Sequence, residues 1–436
     1  MVHAYALLGR YIALDVHSGA VHELDCAAFD VLRADPNLDC DLPLTGEQRE
    51  AREELLALKD AGLLFSEPEP AQQNVSGLPL KALCLHVSHD CNLRCGYCFA
   101  KTGDFGTGSR STMTPEVAEK AIDYLLARCE GRKNLEIDFF GGEPLMALDT
   151  VKHTVEYARG AAPEKNFRFT LTTNGVLLDQ EVTEYLNREM NNVVLSLDGR
   201  RSVNDAVRKT VGGGGSYDEI LENYRHVLAT RTGDYYVRGT YTQKNKDFLE
   251  DIRHLASLGF RNISLEPAVL PSGHPLALTE DDLPSLCDQY ERLCEEMAAG
   301  DCGYSFFHFN VDLKQGPCVY KRLRGCGAGI EYAAVTPEGA VYPCHQFVGN
   351  NDFLLGDVLR GSFDKSVSEK FYPGGDGRED CQACWARYYC GGGCAASNNT
   401  VNGDINISDR LGCALEKKRL ECAIYLKTLS PEAETL

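Results

Sequence analysis

The stretch Lys81–Ala100, KALCLHVSHDCNLRCGYCFA, decides how the rest of the chain is read. In its first half Leu83, Leu85 and Val87 alternate with smaller or more polar residues, the period-two pattern of a strand over Lys81–Ser88. Its second half carries Cys91, Cys95 and Cys98, with three and then two residues between them. Thiolates so close in sequence converge on one metal centre if the loop is tight, and Gly96 is expected to help it turn. Three thiolates leave one iron of a four-iron, four-sulfur cluster open to an exchangeable ligand. In a barrel of parallel strands such a loop lies at the carboxyl end, where catalysis is placed. A chance triple in a cysteine-rich chain is the competing reading.

Composition narrows the choice of partners. The chain has 436 residues, room for two or three domains, and a net charge of −20, which disfavours nucleic acid and anionic membranes. Nineteen cysteines behind an opening, MVHAYALLGRYIALDV, that lacks a signal-like apolar run point to a reducing cytoplasm and to metal ligation over disulfides.

Upstream of the strand, residues 1–65 read as a separate unit. Tyr11–Val16 and Val21–Leu24 flank the Ser18-Gly19 turn, Ala27–Leu32 is helical, and Thr45 with Gln48 forms a capping box before Ala51, Leu55, Leu58 and Leu63. Such a winged-helix-like module either binds something or stabilises the chain. Residues 66–79 (SEPEPAQQNVSGLP) read as a linker.

Downstream, strands and helices alternate over residues 80–309. Thr114-Pro115 opens a helix whose apolar face includes Cys129, read as core. Strands are expected at Leu135–Phe140, Phe167–Leu171, Val193–Leu197, Tyr236–Tyr241 and Asn262–Glu266, six with the first. This is a parallel α/β sheet, doubly wound or a partial barrel. Gly212–Gly215 lacks nucleotide-loop spacing and reads as a surface turn. Residues 310–436 break the pattern: cysteines and glycines are dense, strands are short, and Arg410–Thr428 is helical. Cys326, Cys344, Cys381, Cys384, Cys390, Cys394 and Cys413 are enough for two metal sites, with four-cysteine zinc the competitor of iron–sulfur clusters.

Taken together, the Cys91-Cys95-Cys98 loop resembles the signature of radical S-adenosylmethionine (radical SAM) enzymes, and the tail resembles a SPASM domain with two auxiliary four-iron clusters. YIALDVHSGAVHELD, His308–Cys318 and Cys326–Asn350 carry a closer likeness to the SCIFF maturases, which install thioether crosslinks in a short cysteine-rich ribosomal peptide. The resemblance implies a partial (β/α)6 TIM-like barrel between a PqqD-like leader-binding unit and the SPASM tail. It also implies S-adenosylmethionine, three [4Fe-4S] clusters and an electron donor such as ferredoxin or flavodoxin.

By that resemblance Gly141, Gly142 and Glu143 match the GGEP motif, where glycine backbone meets the cofactor's amino group with no side chain intervening. Ser196 and Arg208 match positions contacting its ribose or carboxylate. Asn174 and Asp198 are further candidates that otherwise cap or turn, and Tyr97 is an adenine platform or a core residue. Cys381, Cys384, Cys390 and Cys413 are assigned to the outer auxiliary cluster, and Cys326, Cys344 and Cys394 to the inner one. The inner cluster's fourth position is either Cys318 or open to a substrate thiolate. Sulfatase-maturing relatives carry a basic Asp after the cysteine matching Cys344. Here His345 stands in that place, either a candidate base or a structural residue.

Overall fold

The structure is a computed structural model describing residues 1–68, 78–300, 302–313, 325–372 and 378–429. Cys318 and most of the 66–79 linker lie outside the described residues.

The first unit is an antiparallel sheet, β1 (Val2–Leu7), β2 (Arg10–Asp15) and β3 (Val21–Leu24), in that order, followed by α1 (Cys26–Ala34) and α2 (Gly46–Asp60). Asp25 caps α1 by accepting from the Ala28 amide at 2.8 Å, and the Thr45–Gln48 capping box opens α2. Val31, Leu32, Leu38, Leu55 and Leu64 close a small core over Ala13. The hairpin at Ser18-Gly19 is present; β1 pairs with β2 as a further strand that the sequence reading had not separated.

The central sheet begins with β4 (Ala82–Ser88), from which the loop with the three cysteines emerges, bearing a short strand β5 (Leu93–Cys95). Helix α3 (Pro115–Arg128), capped by Thr114, leads to β6 (Asn134–Gly141); α4 (Leu148–Ala161) leads to β7 (Asn166–Thr173). Then come α5 (Gln180–Glu189), β8 (Asn192–Ser196), α6 (Arg201–Val207), the short β9 (Arg208–Thr210), α7 (Tyr217–Thr230) and β10 (Asp234–Tyr241). Helix α8 (Phe248–Ser257), β11 (Asn262–Pro267), α9 (Leu283–Ala298) and β12 (Ser305–Phe306) complete the series.

The strands β4, β6, β7, β8, β10, β11 and β12 lie side by side in sequence order, each parallel to the next. A sheet whose crossovers all progress in one direction curls as an open barrel and is not doubly wound. All seven residues of β4 are buried, as expected of a strand covered on both faces.

Two features depart from expectation. β12 adds a seventh parallel strand, and the tail does not leave the sheet at residue 310. β13 (Tyr332–Val335) pairs in parallel with β4, and β14 (Ala340–Tyr342), β15 (Gly356–Asp357) and β16 (Ser362–Phe363) extend it antiparallel. Four-residue and shorter strands carry too little periodicity to be read in advance.

The last helix, α10 (Arg410–Thr428), packs along α9, with Lys418 paired to Glu291 at 2.8 Å. It also holds the first unit: Tyr5 donates to the Glu421 carbonyl at 3.0 Å and Arg10 to Thr428 at 3.2 Å. Among the described residues no helix is long and apolar enough to cross a membrane.

Candidate active site

The cysteine loop is secured from both flanks. β5 pairs antiparallel with β9, which places Arg208 directly opposite Cys95, and the Gly96 amide donates to the Val207 carbonyl at 2.8 Å. Gly96 is not in the left-handed region; a Cβ there would meet Leu276 at 3.3 Å, so glycine serves close packing and not the turn. The turn itself falls later, where Lys101, Thr102, Gly103 and Phe105 all adopt positive φ. Beneath the loop the His86 and His89 rings share a hydrogen bond of 3.1 Å and pack on Phe105, a pair the sequence reading had passed over.

On the other flank, Gly141 and Gly142 press against the backbone leading into the loop. A Cβ on Gly141 would lie 2.2 Å from the Ser88 carbonyl oxygen, and one on Gly142 2.2 Å from that of Asp90. The glycines are thus needed for backbone-on-backbone contact within the protein, a reason different from the expected approach to a cofactor. The Glu143 carboxylate accepts from the Leu145 amide (3.0 Å), the Asn174 amide (2.8 Å) and Thr173 Oγ1 (2.9 Å), tying the end of β6 to that of β7. Burial still pushes this carboxyl up to about 7, because those bonds offset only part of the lost hydration.

Asn174 in turn donates through Nδ2 to Asn92 at 2.7 Å and lies 3.6 Å from the Cys91 sulfur. Tyr97 donates to the Asp198 carboxylate at 2.7 Å and accepts from Arg208 Nη1 at 2.9 Å; Arg208 and Asp198 lie 3.8 Å apart. Tyr97, about a hundred residues away in the chain, thus joins Asp198 and Arg208 in one charge-balanced group. Ser196 ends β8, where its carbonyl accepts from Tyr224 at 3.2 Å.

Three observations bear on whether these residues fit an iron–sulfur cluster and the cofactor. Burial pushes the Cys91 thiol up to about 12, and the nearby Glu143, Cys95 and Cys98 add to the shift. A bound cation would stabilise thiolates in such a place. The Leu93 amide also points at the Cys91 sulfur at 3.4 Å. Arg208 Nε and Asn92 Nδ2 are buried without a hydrogen-bond partner, two donors free for a carboxylate or hydroxyl acceptor. The residues fit both groups.

The tail thiols fall into two sets. Burial pushes Cys413 up to about 11, with Cys381 and Cys384 adding to it, and Cys390 up to about 12, with Glu416 and Cys413 adding. Cys344 is raised by burial and by Cys394 and Cys326. The Gly393 amide donates to the Cys390 sulfur at 3.1 Å. Among the described residues no three such side chains close on a single ion. A four-iron cluster is ligated at separate corners and asks for a ring of sulfurs instead. Trp385, beside Cys384, stacks on His3 of the first unit with centroids 3.8 Å apart.

His345 sits over the barrel lumen, its ring 4.9 Å from Phe140 and its Nδ1 3.4 Å from the Tyr332 hydroxyl. Burial, assisted by the Arg238 charge, pushes it down to about 4, so it is a neutral imidazole at pH 7. Below it the lumen is lined by side chains missed in the sequence. Arg238 pairs with Glu266, His308 lies 3.7 Å from Glu266, and Tyr236 stacks on Phe307 at 5.5 Å. Asp138 faces the same space. The signal was present in LEIDFF, where Glu136, Asp138 and Phe140 share one face of a buried strand.

Residues 85–259 match the Radical SAM superfamily. The chain is 25% identical over 371 residues to "Radical SAM cyclopropyl synthase TigE" of Paramaledivibacter caminithermalis, covering 78% of this chain and 73% of that protein. It is 26% identical over 347 residues to the "Cysteine-type anaerobic sulfatase-maturating enzyme" of Clostridium perfringens, covering 72% and 89%. The solved structure "Native anSMEcpe with bound AdoMet" has the same fold: TM-score 0.65, 20% identity, 80% of this chain and 99% of that one. Streptococcus suis SuiB bound to S-adenosylmethionine gives 0.57 at 16% identity, over 94% and 98%. Residues 85–259 thus carry the match to the Radical SAM superfamily, and the chain as a whole is similar to the anaerobic sulfatase-maturating enzymes.

Proposed function

We propose that this protein is a peptide maturase that forms thioether crosslinks, joining a cysteine sulfur to a carbon of another residue in a cysteine-rich ribosomal precursor of the SCIFF type. Residues 1–65 grip the leader as a PqqD-like element, 66–79 form the linker, 80–309 the radical SAM barrel, and 310–436 a SPASM domain. The observation that carries this reading is the grouping of thiols into three sets, one at the barrel mouth and two in the tail, with the first unit stacked on the outer set through His3 and Trp385. The chain works in the cytoplasm, with ferredoxin or flavodoxin as electron donor.

Cys91, Cys95 and Cys98 would hold the cofactor-binding cluster; Cys381, Cys384, Cys390 and Cys413 the outer auxiliary cluster; Cys326, Cys344 and Cys394 the inner one. When bound, cluster and S-adenosylmethionine supply a hydrogen-abstracting radical. The chain's own residues do the rest. Arg208, steadied by Tyr97 and Asp198, offers Nε to the cofactor carboxylate, and Asn174 holds Asn92 beside the loop. Glu143 locks the strand ends so that the glycine pair stays against the loop. Arg238 and Glu266 orient the peptide in the lumen. His345 packs the ceiling as an uncharged imidazole at neutral pH.

A formylglycine-forming reading is favoured by the sulfatase-maturing relatives, but the neutral His345 stands where the resemblance to them leads one to expect a carboxylate base. Anaerobic reconstitution should yield about twelve irons per chain, three four-iron clusters' worth. Incubation with a cysteine-rich precursor and reductant should lower peptide mass by about two hydrogens per crosslink, as joining S–H and C–H requires. A new aldehyde would establish the formylglycine reading in its place, and unchanged mass would count against both.

A further inference from the structure

The open barrel has polar walls, and their charges are unevenly paired. Glu136 is bound to Lys81 at 3.2 Å, and Glu266 is held by Arg238. Two residues along β6 from Glu136 stands Asp138, with no hydrogen-bond or ion-pair partner among the described residues. In register it lies between Cys84 on β4 and Thr170 on β7, facing the lumen. The Cys84 thiol, the Tyr332 hydroxyl and the Tyr236 hydroxyl are each pushed up chiefly by burial, and each also feels the Asp138 charge. Those three rim the space in front of it. Asp138 is three residues before Gly141, which puts it about 10 Å down the strand from the glycine pair. A group there meets what enters beneath the cofactor, not the cofactor itself.

A half-buried carboxyl left without a cation or donor costs stability, so its retention asks for a use. Resting on the thioether reading above, we propose that Asp138 takes the thiol proton of the substrate cysteine: the S–H bond breaks, an O–H bond forms on the carboxylate, and the sulfur remains as thiolate. The step is a proton transfer alone and needs no oxidant. Burial, with Glu136 adding and Lys81 opposing, pushes the Asp138 carboxyl up to about 7. A base poised near the working pH is the most effective kind. Glu266 lacks this property, because Arg238 keeps it below the ordinary carboxylate range against the opposing effect of burial.

The test uses the reconstituted holoenzyme and a synthetic peptide with one cysteine between alanines and threonines, beside the same peptide with serine. Infrared difference spectra at pH 8 should show a protonated-carboxyl band when the cysteine peptide binds the wild-type protein. The band should be absent with the serine peptide and absent in Asp138→Asn. In turnover with the cysteine-rich precursor, Asp138→Asn should lower crosslinks formed per 5′-deoxyadenosine by about 10²- to 10⁴-fold. Asp138→Glu, the variant to use if the asparagine protein fails to take up iron, should retain crosslinking with a displaced pH midpoint. A band that persists in Asp138→Asn, no band in wild type with the cysteine peptide bound, or an unchanged rate and pH profile would each overturn the assignment. If wild type cleaves the cofactor and never alters peptide mass, the thioether reading fails, while the infrared experiment still judges Asp138.

Discussion

At the mouth of the barrel, Cys91 and Cys95 hang from a loop pinned by strand pairing to β9 on one side and by the Gly141–Gly142 backbone on the other. In the tail, Cys326 and Cys394 are exposed, the helices around Cys381 and Cys390 are single turns, and Gly391, Gly392 and Gly393 all have positive φ. Both regions gather thiols. The first does so with a hydrogen-bonded scaffold that stands on the hydrophobic core of the sheet, the second with little but local turns and one long helix. The loop is therefore preorganised for the cluster proposed for it, while the tail, if it carries the proposed clusters, should depend on them for its order.

Several experiments sharpen or break that contrast. The largest effect is expected from Cys95→Ser, which should reduce 5′-deoxyadenosine formation to background while circular dichroism remains that of wild type, because the sheet does not need the loop metal. Next, iron chelation under anaerobic conditions should expose residues 325–429 to protease before the barrel is cut. Simultaneous cleavage of both would show that the tail is held by packing.

Arg208→Ala should cost about 3–5 kcal/mol in chemical denaturation, the cost of leaving a buried partner charge, here Asp198, uncompensated. It should also weaken S-adenosylmethionine binding by calorimetry. Asp138→Asn should stabilise the protein, and only above neutrality. The Asp138 carboxyl rises from 3.8 to about 7 on folding, so the folded state binds its proton more tightly than the unfolded state does. The resulting penalty is absent below about pH 4, grows as pH rises, and is complete above about pH 7. Removing it should add roughly 1–3 kcal/mol at pH 8 and nothing at pH 4. The smallest effect belongs to His3→Ala, about 0.5–1.5 kcal/mol for the lost stack on Trp385, visible as faster proteolysis between the first unit and α10.

What could be read in advance follows the same division. Strands β4, β6, β7, β8, β10 and β11 carry period-two or fully apolar runs of five to eight residues, long enough to be recognised, and Thr45, Thr114 and Pro115 mark helix starts by local chemistry. The cysteine loop announces itself by spacing. What stayed hidden depends on long-range pairing: β13 joining β4 across more than two hundred residues, Arg208 reaching Cys95 through a three-residue strand, and Asp138 standing unpaired while Glu136 and Glu266 find cations. At Gly96, Gly141 and Gly142 glycine serves close packing, which only the neighbouring side chains and backbone reveal.

The central claim is that the loop at Cys91, Cys95 and Cys98 carries a cluster with an iron open to S-adenosylmethionine. Electron paramagnetic resonance of the reduced, anaerobically reconstituted protein tests it most directly, with the Cys95→Ser variant alongside. The account predicts a four-iron signal that changes when S-adenosylmethionine is added and is missing from the variant. A wild-type signal indifferent to S-adenosylmethionine, or zinc in place of iron at the loop, would contradict it.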